Sequence, residues 1–332
     1  MLNVGLLGAG RIGQVHAVNI AGHSNSHLAA VSDVHEPAAV ALASKFGAQA
    51  TSSDGILADP AIDAVLIATS TDTHSELIEQ ATAAGKAVLC EKPVDLSLSR
   101  AQACLQAASA TGRPVMVGFN RRFDPNFSAL KADFDAGAIG KGEMLAITSF
   151  DPAPPPLDYV KVSGGLFRDM MIHDFDMACW MMGGAPETVT AKGACLVDRE
   201  IGAAGDVDTA AVILNWPDGR MAVIRNSRRA VYGYDQRLEL LGSDGLLSAG
   251  NVLESTVEKA TADGVSSAKP TYFFLERYMP AYAAEWAAFV EAVANGSDMP
   301  VPLAEGVAAL AVADAAARSA ETGGTIKVEA AS

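Results

Sequence analysis

The sequence has 332 residues, of which half are apolar and 19% are charged, and its formal net charge is −15. This length exceeds the usual size of one core, and the composition is too apolar for a disordered chain, so two folded domains are expected. Because the charge is acidic and the basic residues form no stripe, neither nucleic acid nor a membrane surface is expected as a partner.

Cysteine usage and hydropathy favour the cytoplasm. The four cysteines, Cys90, Cys104, Cys179 and Cys195, form no close pairing motif. Such thiols are typical of a reducing compartment rather than of a disulfide framework or a structural zinc site. The first residues show no export pattern, and no apolar run reaches the length of a membrane span. We therefore expect a cytoplasmic protein.

The first 120 residues alternate short apolar runs with amphipathic stretches. The predicted strands are Asn3–Leu7, Leu28–Ser32, Ala64–Thr69, Ala87–Cys90 and Val115–Phe119. Helices are predicted between them, for example at Thr73–Ala84 and at Leu98–Thr111, which Ser97 would cap. Fully apolar strands separated by helices indicate a parallel sheet covered on both faces. Residues 1–120 are therefore predicted to form a doubly wound α/β domain of the Rossmann type.

The pattern changes in the predicted second domain, residues 121–332. A connecting helix is predicted at 123–137 and another at 164–182, with two more at about 280–295 and 303–321. The predicted strands are Glu143–Phe150, Thr188–Val197, Val207–Trp216, Arg220–Asn226 and Gln236–Leu241. The tight-turn sequence WPDG at 216–219 indicates that part of this domain pairs antiparallel. The segments 151–156 and 263–269 are predicted loops.

A glycine-rich segment follows the first predicted strand. VGLLGAGRIG at 4–13 places Gly8, Gly10 and Gly13 in GxGxxG spacing before a helix. A tight turn, a close approach to a pyrophosphate and close helix–strand packing each need one of these glycines. Asp33 could accept hydrogen bonds from the adenosine ribose and would repel a 2′-phosphate, which favours NAD over NADP. Alternatively, Asp33 could only cap the helix that begins near Glu36.

Two segments follow predicted parallel strands at the edge of the sheet where ligands bind. They are ATSTDTH at 68–74 and CEKPVD at 90–95. Lys92 is expected to point to the nicotinamide site, and Pro93 could hold a cis peptide bond that fixes the direction of the lysine. A solvated loop around Glu91 and Lys92 is the alternative.

A third segment, GGLFRDMMIHDFDMACWMMGG at 164–184, places Asp169 and His173 four residues apart on one predicted helix face. Histidine titrates near neutral pH, so His173 could act as a general base in the oxidation of a secondary alcohol. Asp169 would orient its ring, and Lys92 would stabilise the developing alkoxide. The alternatives are a structural His–Asp pair in the core and, with less support, a metal site that includes Asp176.

Four segments resemble the glucose–fructose oxidoreductase/inositol dehydrogenase (Gfo/Idh/MocA) family over essentially the whole chain. They are GLLGAGRIG, the Glu-Lys-Pro segment, VGFNRRFDP at 117–125 and GGLFRDMMIHDFDMACWM. Together with YGYDQRLELLG at 232–242, they are most similar to the inositol 2-dehydrogenases. The resemblance implies a Rossmann domain followed by an α/β domain with a large, mostly antiparallel sheet, NAD as cofactor and commonly a homotetramer.

The resemblance also implies roles for individual residues. The implied catalytic set is Lys92, Asp169 and His173, without a metal. The implied cofactor set is Gly8, Gly10, Arg11, Ile12, Gly13, Asp33, Thr69, Ser70, Thr71, His74, Glu91 and Lys92. The implied substrate set is Lys92, Asn120, Arg121, Asp151, Asp169, His173 and Tyr234, whose donors and acceptors suit a polyhydroxylated ring.

The implied reaction is the NAD-dependent oxidation of myo-inositol at its axial C2 hydroxyl to 2-keto-myo-inositol (scyllo-inosose). Three alternatives stay open. The chain could be a dehydrogenase for scyllo-inositol, a glucose-type sugar or another cyclic polyol. It could be an oxidoreductase that never releases its nucleotide, or an NAD-binding regulator without activity.

Overall fold

A computed structural model describes residues 1–330, and the chain divides into two compact units. The first comprises Met1–Phe123 and Pro280–Leu310, and the second comprises Asp124–Met279 and Ala311–Glu329. The end of the first segment lies three residues beyond the predicted boundary at residue 120. The prediction of a single boundary, however, does not describe the C-terminal part of the chain, because residues 280–310 belong to the first unit.

The first unit is built on a fully parallel sheet. Its strands are β1 Leu2–Leu7, β2 Ser26–Ser32, β3 Gln49–Ala50, β4 Ala64–Ile67, β5 Ala87–Glu91 and β6 Val115–Gly118. The helices between them are α1 Arg11–Gly22, α2 Glu36–Phe46, α3 Ser53–Ala58, α4 His74–Ala83 and α5 Leu98–Thr111. The strand order is β3-β2-β1-β4-β5-β6. β4, β5 and β6 are buried at every residue, and the predicted Rossmann-type sheet is confirmed.

The second unit contains a seven-stranded sheet. Its strands are β7 Gly142–Phe150, β8 Thr188–Ala194, β9 Thr209–Asn215, β10 Met221–Ser227, β11 Asp235–Gly242, β12 Gly245–Ala249 and, near the end of the chain, β15 Ile326–Lys327. The order is β12-β11-β7-β10-β9-β8-β15. β7 and β10 pair parallel and the other neighbours pair antiparallel, so the expected mostly antiparallel sheet is confirmed. The predicted turn at 216–219 joins β9 to β10.

The remaining elements surround these sheets or extend from them. The helices are α6 Pro125–Asp135, α7 Leu157–Val160, α8 Gly165–Asp169, α9 Ile172–Met182, α10 Arg199–Ala203, α11 Phe274–Asn295 and α12 Leu303–Thr322. A hairpin of β13 Glu258–Thr261 and β14 Gly264–Ser267 overlaps the predicted loop at 263–269, where the second of its strands lies. Every residue of this hairpin is exposed, so its sequence lacks the apolar alternation that identifies a strand. Within residues 1–330 no helix combines the length and the hydropathy that a bilayer span requires.

The prediction of one helix over 164–182 is wrong, because α8 ends at Asp169 and α9 begins at Ile172. The backbone N–H groups of Met170 and Met171 both donate to the carbonyl of Leu166, which interrupts the regular ladder. Met170, Met171 and Ile172 are all buried. No glycine or proline marks this interruption in the sequence.

A buried carboxylate, Asp208, holds the turn that leads into α10. It accepts hydrogen bonds of 2.9 Å from the backbone N–H groups of Leu196, Val197 and Asp198, and one of 2.9 Å from the Thr209 hydroxyl. Burial by itself opposes ionisation of Asp208. The four donors outweigh it, and the pKa of this carboxyl lies below its ordinary value.

We expect Asp208→Asn to lower the free energy of unfolding by about 2 kcal/mol at pH 7, because the amide nitrogen would face backbone N–H donors. The folded-state pKa is lowered, so the carboxylate stabilises the fold above the unfolded pKa near 4 and loses this effect as pH falls further. Urea unfolding of both proteins at pH 7 and in acid is the measurement. A difference that stays the same in acid would contradict the assigned role of the charge.

Candidate active site

The glycine-rich turn between β1 and α1 has the geometry of a nucleotide loop. Gly8 has a φ of +103°, and a Cβ there would lie 2.3 Å from the carbonyl oxygen of Ala68. A Cβ on Gly13 would lie 2.0 Å from the carbonyl oxygen of Gly8, whereas, apart from its chain neighbours, no atom of residues 1–330 comes within 4 Å of a Cβ placed on Gly10. The fold itself therefore requires Gly8 and Gly13, and Gly10 leaves space for a phosphate at the start of α1.

Asp33, directly after β2, is fixed beside this turn. Its Oδ2 accepts a hydrogen bond of 2.6 Å from the backbone N–H of Ala9, and its Oδ1 accepts one of 2.8 Å from that of His35. The carboxylate thus joins the second strand to the glycine-rich turn and, in the described chain, does not cap the first turn of α2. Each oxygen keeps a second lone pair that a ribose hydroxyl could use.

The two charged residues at the end of β5, Glu91 and Lys92, lie in different environments. Glu91 is 9% exposed, and its Oε1 lies 2.8 Å from Nε2 of the fully buried His16 on α1. Lys92 is half-buried, and the peptide bond between Lys92 and Pro93 is cis, as the sequence suggested. The carboxylate of Glu91 is therefore paired inside the fold, with the helix that starts at the nucleotide loop.

His74 joins the two loops that follow β4 and β5. Its buried ring places Nδ1 at 2.8 Å from the carbonyl oxygen of Pro93 and Nε2 at 3.2 Å from that of Thr69. Burial lowers the pKa of His74, although both carbonyl contacts act in the opposite direction. A neutral imidazole donates one hydrogen bond at a time, and the shorter contact indicates that it goes to Pro93. His74 thus fixes the backbone next to Lys92.

Glu285, on α11, is a buried acid whose protonation depends on Glu91. Its side chain is fully buried, and neither carboxyl oxygen has a hydrogen-bond partner within residues 1–330. Burial, and then the charge of Glu91, raise the pKa of Glu285 well above its ordinary value and favour its neutral form. One turn earlier on α11, the ring of Tyr282 packs edge-on against His16 at 5.5 Å.

In the second unit, the carboxylate of Asp169 is held from two sides. The hydroxyl of Tyr159 donates a 2.8 Å hydrogen bond to Oδ1, and Nη2 of Arg228 lies 3.5 Å from Oδ2. Desolvation, and then the charge of Asp169, raise the pKa of Tyr159, so this tyrosine remains a donor. His173 is half-buried in the first turn of α9. α8 and α9 are separate helices, and the predicted pairing of Asp169 with His173 stays a prediction.

The residues expected to contact substrate belong to both units. Asn120 and Arg121 are buried in a 3-10 turn after β6 in the first unit. Tyr234, in the second unit, is 5% exposed and packs its ring edge-on against Tyr278 at 5.9 Å. Asp151 follows β7, and its backbone is hydrogen-bonded to two residues of the chain near 228. Their contact with substrate stays a prediction.

A metal site finds no support in the part of the chain that the structure describes. Among residues 1–330, no group of three or more His, Cys, Asp or Glu side chains is placed to hold a metal ion. The alternative that joined Asp176 to Asp169 and His173 as metal ligands therefore lacks a coordination site here.

Four residues of these two regions were not predicted from the sequence, namely His16, Tyr159, Arg228 and Glu285. Glu285 could have been noticed in the sequence, because it is an acid on the apolar face of the predicted helix at 280–295. The other three contact their partners only through tertiary structure, and no local pattern marks them.

Comparison with known proteins agrees with this geometry. Residues 2–119 match the family model described as an oxidoreductase family with an NAD-binding Rossmann fold. Residues 127–248 match the Gfo/Idh/MocA C-terminal domain. The predicted NAD cofactor and oxidoreductase class are thereby confirmed.

Two curated relatives and two solved structures cover nearly the whole chain. The chain is 51% identical to inositol 2-dehydrogenase of Rhizobium meliloti, over 95% of this chain and 96% of that protein. It is 46% identical to myo-inositol 2-dehydrogenase of Thermotoga maritima, over 99% of both. The crystal structure of a myo-inositol dehydrogenase from Corynebacterium glutamicum superposes with a TM-score of 0.95 at 43% identity, covering 99% of both chains. That of scyllo-inositol dehydrogenase from Lactobacillus casei, with bound NAD(H) and scyllo-inositol, gives 0.91 at 30% identity and 99% coverage of both. The chain belongs to the Gfo/Idh/MocA family of NAD-dependent oxidoreductases.

Proposed function

We propose that this enzyme oxidises myo-inositol at the axial C2 hydroxyl to 2-keto-myo-inositol (scyllo-inosose). The observation that carries the proposal is the near-full-length similarity, at 46% and 51% identity, to proteins named as inositol 2-dehydrogenases. The contacts that hold the Asp169 carboxylate support it, because a fixed carboxylate can orient the general base that the oxidation of an alcohol needs.

The proposed roles follow from the chemistry of each side chain. NAD, when bound, supplies the acceptor for the hydride that leaves the C2 carbon. His173 takes the proton of the C2 hydroxyl, and the carboxylate of Asp169 favours the imidazolium that forms. The ammonium of Lys92 donates a hydrogen bond to the oxygen, where negative charge develops as the proton leaves. The substrate loses one hydride and one proton, so the oxidation is balanced.

The proposed cofactor contacts are the turn and strand-end residues of the first unit. They are Gly8, Gly10, Arg11, Ile12, Gly13, Asp33, Thr69, Ser70, Thr71, His74, Glu91 and Lys92. The space at Gly10 and the fixed carboxylate of Asp33 fit a dinucleotide without a 2′-phosphate. Asn120, Arg121, Asp151 and Tyr234 are proposed to contact the hydroxyl groups of the polyol.

The test is NADH formation from myo-inositol, scyllo-inositol and glucose at matched concentrations, with NADP replacing NAD as a control. We expect the highest kcat/KM for myo-inositol and at least a tenfold preference over the other two, since discrimination is a ratio of kcat/KM values. A preference for glucose would refute the proposed substrate. A preference for NADP would refute the role of Asp33.

A second candidate substrate is scyllo-inositol. The chain is 34% identical to the scyllo-inositol 2-dehydrogenase of Bacillus subtilis, over 97% of this chain and 98% of that protein. The lower identity favours myo-inositol, and the same assay decides between the two epimers. A homotetramer in the cytoplasm remains a prediction for this enzyme, and light scattering of the purified protein tests its oligomeric state.

A further inference from the structure

One buried guanidinium faces two carboxylates of the second unit. Arg228 follows β10, and its side chain is 2% exposed. Its Nη2 lies 3.5 Å from Oδ2 of Asp169 and 3.7 Å from Oδ2 of Asp206. Nε and Nη2 of Arg228 make no hydrogen bond within residues 1–330, so the contact with the two carboxylates is chiefly electrostatic.

The two carboxylates stand at opposite ends of α8. Asp169 is the last residue of this helix. Asp206, in the loop after α10, accepts a 2.9 Å hydrogen bond at Oδ1 from the backbone N–H of Leu166 in the first turn. A Cβ on Gly165, whose φ is +84°, would lie 2.7 Å from the same oxygen. Asp206 therefore packs directly on the start of α8, and one cation bridges both ends of the helix that carries Asp169.

The guanidinium of Arg228 compensates negative charge from both carboxylates. The groups that face it are the carboxylates of Asp169 and Asp206, and the hydroxyl of Tyr159 reaches the cluster through Asp169. Asp151 adds a further negative charge in the vicinity of Tyr159. Without the guanidinium, the negative charges of these two partly buried carboxylates would lose the compensation that Arg228 provides.

We propose that Arg228 is a positioning residue of the reaction, which holds the carboxylate of Asp169 in place and fixes α8 through Asp206. This inference rests on the proposed function, in which the Asp169 carboxylate orients His173. It predicts an effect on the pH dependence of the reaction, which a role in packing alone would not produce.

The experiment compares four variants of the full-length enzyme with wild type. They are Arg228→Met, Arg228→Lys, the double variant Arg228→Met/Asp206→Asn, and Arg229→Met as the matched control at the exposed neighbouring arginine. The measurements are kcat and KM for myo-inositol with saturating NAD between pH 5 and 10, the Kd for NADH by fluorescence, and the melting temperature.

For Arg228→Met, we expect the acid limb of the kcat profile to move to higher pH by about one unit or more, since removing a nearby positive charge favours protonation of the groups around it. The Kd for NADH should not change. Arg228→Lys keeps a positive charge at this position and should therefore move the acid limb less than Arg228→Met does. In the double variant, the acid limb should lie most of the way back towards its wild-type position, because only the carboxylate of Asp169 remains uncompensated. Arg229→Met should behave as wild type.

Loss of activity in Arg228→Met without a shift of the limb, or a shift that Asp206→Asn does not reverse, would overturn the inference. If Arg228→Met does not fold, Asp206→Asn alone carries the test. It should move the limb to lower pH, and an unmoved limb would refute the proposal. Asp169→Asn separates this inference from the proposed function, because full activity of that variant would refute the role of Asp169 itself, whatever Arg228 does.

Discussion

Replacement of Lys92 by methionine is expected to lower kcat for polyol oxidation by about 10²–10³-fold, which is the loss typical of one donor to a developing oxyanion. Methionine keeps most of the length of the lysine side chain and its apolar contacts but cannot stabilise an alkoxide. The glycine turn and Asp33 stay intact in this variant, so binding of the dinucleotide should be retained. Steady-state kinetics with myo-inositol and a fluorescence titration with NADH measure the two effects.

Lys45→Met on α2 is the matched control, since Lys45 lies over the ring of Phe46 away from the strand ends. It should oxidise myo-inositol as wild type does. Unimpaired turnover of Lys92→Met would refute the catalytic role of Lys92. A parallel loss of NADH binding would instead show that Lys92 contributes mainly to the cofactor site.

Arg277→Met is expected to destabilise the enzyme by about 3–5 kcal/mol, the usual cost of leaving one member of a buried ion pair alone. Arg277 and Asp124 are 2% and 1% exposed and lie 3.1 Å apart. Asp124 also caps α6, because its Oδ1 accepts hydrogen bonds from the backbone N–H groups of Asn126 and Phe127 at 3.0 and 3.2 Å. The guanidinium lies over the ring of Phe127 at 5.3 Å.

Urea unfolding at pH 7 measures this loss. The double variant Arg277→Met/Asp124→Asn should be more stable than Arg277→Met, since no unpaired charge stays buried. Lys131→Met serves as a control, because Lys131 pairs with the exposed Asp135, and surface pairs contribute about 0–1 kcal/mol. Equal losses for Lys131→Met and Arg277→Met would mean that burial does not determine the strength of these pairs.

The parallel sheet could be predicted because its signals are local. β5 and β6 are apolar at nearly every residue, and the predicted strands differ from the observed ones by only one residue at their C-terminal ends. α5 has the predicted bounds, since Ser97 accepts a hydrogen bond from the N–H of Arg100 and Gly112 ends the helix with a positive φ. The break between α8 and α9 has no such signal, because the residues at the break, Met170 and Met171, are apolar and are neither glycine nor proline.

The same distinction applies to the site. The glycine spacing and Asp33 are fixed within a short stretch of chain, so the nucleotide loop could be predicted from its residues alone. The residues that lie beside Asp169 and Glu91 could not be predicted in this way. Arg228 and Glu285 come from distant parts of the chain, and only the fold brings their side chains within electrostatic reach of Asp169 and Glu91.

The raised pKa of Glu285 couples the folding of this enzyme to the uptake of a proton. The unfolded chain ionises this carboxyl near pH 4.3, whereas the folded protein keeps the proton to a much higher pH. The stabilising effect of the neutral acid is therefore complete below the unfolded pKa and declines as pH rises, which is the opposite slope to that of Asp208. Unfolding at neutral pH should release a proton to the buffer, so the calorimetric enthalpy should vary with the ionisation enthalpy of the buffer used.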